Sequence, residues 1–124
     1  MTDVTEAFRL NLAHIDGPLA IATLTGDLDL HTAPGLRTGA SEWIRQGHHH
    51  LILDLRGVGF CDSSGLSALI GVWHSAKQAG GALELAAVPD RLTRMLTLTG
   101  LDSLLTVHPT AQDVLSTHRT TADA

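Results

Sequence analysis

A short apolar run narrows the choice of folds more than any other part of the sequence. Leu51 to Leu55 is apolar except for Asp54, and loop residues flank it on both sides. Runs of this length and composition are typical of buried strands. A helical pattern begins soon afterwards, near Ser63, with apolar residues recurring on one face at Leu66, Leu69, Ile70, Trp73 and Ala76. A buried strand that leads into such a helix predicts an α/β fold.

The N-terminal part of the chain predicts a β-hairpin. Apolar Phe8, Leu10 and Leu12 alternate with polar residues, which is the period of a half-buried strand. Turn residues follow at 16–18, and the run from Leu19 to Thr25 is apolar or β-branched on both faces. The second arm of the hairpin is therefore expected to be covered on both sides.

The remaining elements alternate between helices and strands. Helices are predicted from Thr32 to Gly47, from Ser63 to Gly80, from Pro89 to Leu98 and from Thr110 to Thr117, and strands from Ala82 to Val88 and from Leu104 to Val107. The order predicts a mixed, mostly parallel sheet of four to five strands with about four helices. Right-handed crossovers then make the carboxyl ends of the strands the expected working edge.

Length and charge limit the possible functions. The 124 residues suit a single domain, residues 1–124, with a core at about 8–117 and a polar tail at 118–124 that is expected to be disordered. The net charge is −5 and the eight basic residues are scattered, which argues against direct nucleic-acid binding. No apolar run is long enough for a membrane span, and a lone cysteine fits a reducing compartment. We therefore expect a cytoplasmic protein.

The segment Cys61-Asp62-Ser63-Ser64-Gly65 carries the chemistry. It lies where a predicted strand passes into a helix, beside free N–H groups and the positive end of the helix dipole, so an anion is tolerated there. Gly65 has no side chain and lets another backbone or a phosphate come close. The alternative interpretation is that one of the two serines only caps the helix.

The wider pattern resembles the STAS domain family, which includes bacterial anti-sigma factor antagonists and the cytoplasmic tails of sulfate transporters. The specific part is Asp62 to Leu66, preceded by the run from Leu51 to Leu55. The segments Leu24 to Asp29 with Thr32-Ala33, and Leu98 to Asp102, are similar to further parts of the family pattern. The resemblance covers roughly residues 8 to 117.

In the antagonist branch of this family, the first serine of the motif is the phosphoacceptor, which the resemblance assigns to Ser63. Asp62, Ser64 and Gly65 would flank the switch, and Asp29 and Thr32 would form the adjacent docking surface. The resemblance implies a GHKL-type anti-sigma factor kinase as partner, carrying its own Mg-ATP, and a serine phosphatase that resets the switch. It implies no cofactor for this chain and a role in transcription regulation by partner switching, as in stress responses.

Three other interpretations are open to the sequence. A different STAS role is the first, as a stressosome-like scaffold or an accessory subunit of a lipid-transporting ABC complex. A serine hydrolase is disfavoured because no oxyanion loop or fixed histidine base is evident. A metal site is also disfavoured, because three consecutive histidines, 48–50, cannot easily converge on one ion and are expected in a solvated loop. Asp27 with Asp29 is better explained by docking and loop shaping, and the alternative that Asp29 only accepts backbone N–H bonds at the start of the helix is equally open.

Overall fold

The computed structural model describes residues 8–114, which form a five-stranded sheet with helices packed against it. The strands are β1 (Phe8–Asp16), β2 (Leu19–Leu28), β3 (His50–Cys61), β4 (Ala82–Ala86) and β5 (Thr106–His108). The helices are α1 (Ala33–Arg45), α2 (Ser63–Gln78) and α3 (Asp90–Thr99), followed by a 3₁₀ turn (Leu101–Ser103) and a helical segment at residues 111–114.

The strands lie in sequence order, β1-β2-β3-β4-β5. β1 pairs antiparallel with β2, and every other neighbouring pair is parallel. This arrangement confirms the predicted mixed sheet with an N-terminal hairpin. The predicted end of the last helix at Thr117 and the tail at 118–124 lie outside the described residues. None of the helices between residues 8 and 114 has the length and hydropathy that a membrane span requires.

The sheet is covered on both faces, by different parts of the chain. The three long helices pack on one face, where Leu36, Leu69 and Leu96 join the main core with apolar residues of the strands. On the opposite face Val114 closes a smaller cluster that includes Ile52. Because α1, α2 and α3 each follow a strand on the same side, the loops that enter α1 and α2 meet at one edge of the sheet.

β3 is much longer than the predicted strand at Leu51 to Leu55, and that boundary was wrong. The strand continues past Arg56 to Cys61, and its pairing with β2 contains two register irregularities. Extra residues in β3 produce these irregularities, as in β-bulges. Gly57 lies in this extension of β3. A side chain is disfavoured at this position, because a Cβ there would lie only 3.1 Å from Thr25 Cβ. The extension brings Cys61 beside Leu28 at the end of β2.

Candidate functional site

Two strand-to-helix junctions, residues 28–33 and 61–65, lie side by side at the carboxyl end of the sheet, and we call them the Ser63 edge. The Leu28 carbonyl joins them, because it accepts a hydrogen bond of 3.1 Å from the Asp62 N–H. Gly65 packs against the same carbonyl, with its missing Cβ only 2.8 Å from Leu28 Cγ. This close backbone approach is what the glycine was predicted to permit.

Asp62 caps α2. Its Oδ1 accepts a hydrogen bond of 3.0 Å from the Gly65 N–H, and its backbone is extended. The alternative interpretation, that a serine performs this capping, is therefore wrong. Aspartate and serine are about equally good at this position, so local preference could not decide between them. The Asp62 side chain thus accepts a hydrogen bond from one of the free N–H groups in the first turn of α2. Both serines lie inside the helix.

The two serines differ in exposure. Ser63 is the first residue of α2 and is exposed, whereas Ser64 is half-buried. Within residues 8–114, no hydrogen bond joins the Ser63 hydroxyl to a histidine, so the Ser–His arrangement of a hydrolase is not formed there. The Ser63 hydroxyl is open to an external reagent at the positive end of a helix.

Asp29 and Thr32 fold the neighbouring loop. Asp29 Oδ1 accepts the N–H groups of His31 at 2.9 Å and Thr32 at 3.1 Å. Thr32 Oγ1 accepts the Asp29 N–H at 2.9 Å and donates to the Asp27 carbonyl at 2.8 Å. Thr32 thus stands at the start of α1, as predicted, although its side chain makes no cap hydrogen bond to that helix. These hydrogen bonds agree with loop shaping by Asp29 and equally with the alternative that it only accepts N–H groups at the start of the helix, and its docking role stays a prediction.

A surface depression of about 380 Å³ lies between the starts of α1 and α2. Its lining residues are Leu30, Ala33, Pro34, Arg37, Ser63, Ser64 and Ser67. Neither Leu30 nor Arg37 was predicted from the sequence to be a neighbour of the serines. The signal for Arg37 was present, because it follows the buried Leu36 on the helix that packs beside α2.

Cys61 ends β3 directly before the capping aspartate. It is partly buried and packs against the main core. Burial, reinforced by the charge of Asp62, raises the pKa of the Cys61 thiol to about 11. The thiol is therefore neutral at ordinary pH, as expected of a cysteine that packs as a small hydrophobe.

The three consecutive histidines are less solvated than predicted, although His48 and His49 do lie in the loop that enters β3. All are partly buried, and their contacts diverge: His48 Nδ1 lies 2.7 Å from the Gly17 carbonyl, and His50, in β3, pairs with Glu84. Glu84 also pairs with His108, and the hydrogen bond from His50 is the main cause that lowers the pKa of Glu84 to about 2. No group of three or more His, Cys, Asp or Glu side chains in the described residues is arranged to hold a metal ion.

Comparison with known proteins identifies the family. Residues 9–114 match the family model described as STAS domain. The chain belongs to the STAS domain family. Its relatives include the anti-sigma F factor antagonist of Paenibacillus polymyxa, which is 30% identical over 87% of this chain and 92% of the relative. The anti-sigma-B factor antagonist of Bacillus subtilis (strain 168) is 32% identical over 68% of this chain and 76% of the relative.

A solved structure agrees with these relatives. The crystal structure of an anti-sigma factor antagonist from Mycobacterium paratuberculosis superposes with a TM-score of 0.79 at 26% identity, covering 92% of this chain and 96% of that one. The resemblance to the STAS family inferred from Asp62 to Leu66 is thereby confirmed. The names of these relatives describe regulatory antagonists rather than enzymes.

Proposed function

We propose that this STAS protein is an anti-sigma factor antagonist switched by phosphorylation of Ser63. In its unmodified form it binds an anti-sigma factor, which then releases its sigma factor. The anti-sigma factor is also a GHKL-type serine kinase that carries the Mg-ATP, and a serine phosphatase restores the unmodified form. This chain acts without a cofactor of its own, in the cytoplasm, where sigma factors work.

The accessibility of Ser63 is the observation that carries the proposal. Its hydroxyl is exposed at the first residue of α2, while Ser64 beside it is half-buried. A kinase needs the hydroxyl to enter its own active site, and of the two motif serines Ser63 is the more exposed. The names of the relatives supply the class of partner.

The electrostatics of the Ser63 edge support a switch that changes binding but preserves the fold. A phosphoryl group adds about −1.5 to −2 charge. Within the domain this anion lies at a helix N-terminus, where negative charge is neutral to favourable. On the surface, however, it joins Asp62 on a chain whose net charge is already −5. A partner surface that fits the unmodified edge then meets an additional desolvated charge, which lowers its affinity.

The site of modification is tested by incubation with the cognate kinase and Mg-ATP, followed by phosphopeptide mapping. We expect one phosphate per chain, abolished by Ser63→Ala and retained in Ser64→Ala. Modification confined to Ser64, or to a threonine elsewhere, would remove Ser63 from its proposed role.

The effect on binding is tested by calorimetric titration with the anti-sigma factor. Ser63→Asp should weaken binding at least about a hundredfold, whereas Ser63→Ala should change it little. Ser41→Asp, which adds the same charge on the exposed side of α1 farther from the edge, is the matched control and should bind like the unsubstituted protein. Thermal melts should place all three within about 1 kcal/mol of the unsubstituted protein.

Two results would contradict the proposal. Tight binding by Ser63→Asp combined with loss of binding by Ser63→Ala would show that the hydroxyl is itself the contact. Failure to bind any anti-sigma factor, with recovery of a permease and ATPase pair instead, would favour the transport-accessory role.

A further inference from the structure

Arg37 is the charged side chain among the residues that line the depression beside Ser63. It extends from α1 toward α2, and its Nε lies 3.6 Å from the position that a Cβ on Gly71 would occupy. Ser67 and Gly71 follow Ser63 at intervals of four residues, the spacing at which helical residues share a face. The guanidinium therefore lies along the side of α2 that leads up to Ser63.

Within residues 8–114, no carboxylate holds Arg37 in this position. It forms no salt bridge with any residue between 8 and 114, whereas Arg45 on the same helix pairs with Glu42. Arg37 is also exposed, so its long side chain can change rotamer at little cost. Its Cα–Cβ bond is tilted toward the start of α1, as in every α-helix, which is the end of α1 that borders the Ser63 edge.

The backbones that carry Arg37 and Ser63 are fixed relative to each other. Leu36, next to Arg37, and Leu69 on α2 are both fully buried in the main core cluster. Ser63 is held by the Asp62 cap and by the contact of Gly65 with Leu28. Both residues therefore border the depression from rigid supports, and a rotamer change of Arg37 is the motion that the inference requires.

We infer that the phosphoryl group on Ser63 binds the Arg37 guanidinium within the same molecule. The inference rests on the proposed function, because it concerns the phosphorylated form. A guanidinium donates two parallel hydrogen bonds to phosphate oxygens, and new pairs of this kind are a known effect of phosphorylation beside an arginine. Phosphorylation then changes the Ser63 edge in two ways. It adds the charge of the phosphoryl group, and it pairs the exposed Arg37 guanidinium that a partner would otherwise contact.

The test uses full-length protein with phosphoserine incorporated at position 63 during synthesis, so that it does not depend on any kinase. The probe is the second ionisation of the phosphate, followed by phosphorus NMR across a pH titration. A nearby guanidinium stabilises the dianion and lowers this pKa. Arg37→Ala should raise it by about 0.3 to 0.7 pH unit, the size of a solvent-exposed ion pair. Arg37→Lys, which keeps the charge but not the planar fork, should give a smaller shift.

Arg94→Ala is the matched control, because it removes the same charge from an exposed position on α3. It should leave the phosphate pKa unchanged. An unchanged pKa in Arg37→Ala, or an equal shift in Arg94→Ala, would overturn the inference. Failure of the cognate kinase to modify Ser63 would instead count against the proposed function, and the NMR result would stand separately from it.

Discussion

Replacing Gly65 with alanine tests how tightly α2 is held against the end of β2. A Cβ at this position would lie 2.8 Å from Leu28 Cγ and 2.9 Å from the Leu28 carbonyl carbon, and would overlap the carbonyl oxygen. Leu28 is fully buried, so it cannot move aside cheaply. Overpacking of this kind costs about 1 to 3 kcal/mol.

Two smaller effects act in opposite directions in this variant. Displacing the Leu28 carbonyl also disturbs its hydrogen bond from the Asp62 N–H, which costs about 1 kcal/mol. The better helix propensity of alanine restores about 1 kcal/mol. We therefore expect Gly65→Ala to lower the free energy of unfolding by about 1 to 3 kcal/mol net.

Gly71→Ala in the same helix supplies the control, because its Cβ would meet nothing closer than Arg37 Nε at 3.6 Å. This variant should gain up to about 1 kcal/mol from helix propensity alone. Urea unfolding monitored by circular dichroism measures both changes, and they should have opposite signs. If Gly65→Ala were as stable as Gly71→Ala, the close contact between Leu28 and α2 would not exist in solution.

Three further predictions concern the cap, the partly buried carboxylate of Glu84 and the serine. Asp62→Ala should destabilise the protein by about 1 kcal/mol in urea unfolding and Asp62→Asn much less, and equal losses would contradict the capping role. Glu84 has a pKa of about 2 in the folded protein, below its ordinary value of 4.5. Its contribution to stability is therefore complete above the higher value and is lost as pH falls through the lower one. In Glu84→Gln, the free energy of unfolding should therefore depend less steeply on pH in the acid range. An unchanged pH dependence would refute the pairing of Glu84 with His50 and His108. A fluorophosphonate probe should not label the protein, and labelling that Ser63→Ala abolishes would indicate an enzyme.

The elements with strong local signals were predictable from the sequence. Alternation from Phe8 to Leu12 gave β1, and the turn before Leu19 gave the hairpin. The helix predicted from Thr32 to Gly47 was found as α1, and its buried residues Ala33, Leu36 and Ala40 recur at helical spacing. In each case the pattern reflects contact with a single neighbouring layer, so a short window of sequence contains it.

The boundaries that depend on partners distant in sequence were not predictable. β3 extends through Arg56 and Gly57, residues typical of loops, because β2 offers a pairing partner as far as Leu28. Likewise, capping by Asp62 in preference to Ser63 depends on the Leu28 carbonyl that holds the Asp62 N–H. Neither contact leaves a trace in the local sequence.

The histidines illustrate the same limit. His50, Glu84 and His108 come from three strands, and the register of the sheet brings them together. The sequence shows a polar histidine triplet that is ordinarily solvated, and it does not show the carboxylate that faces His50 from β4. A prediction of their burial required the strand order.

The Leu28 carbonyl links the two strand-to-helix junctions of the Ser63 edge to each other. It contacts Asp62 and Gly65 on one side and leads directly into the Asp29–Thr32 turn on the other. A partner that docks on this frame has little loop entropy to remove, so its selectivity must come from side chains that project from the frame, such as Leu30. Under the proposed function, exchanging Leu30 and His31 while Ser63 is kept is therefore expected to change which partner binds.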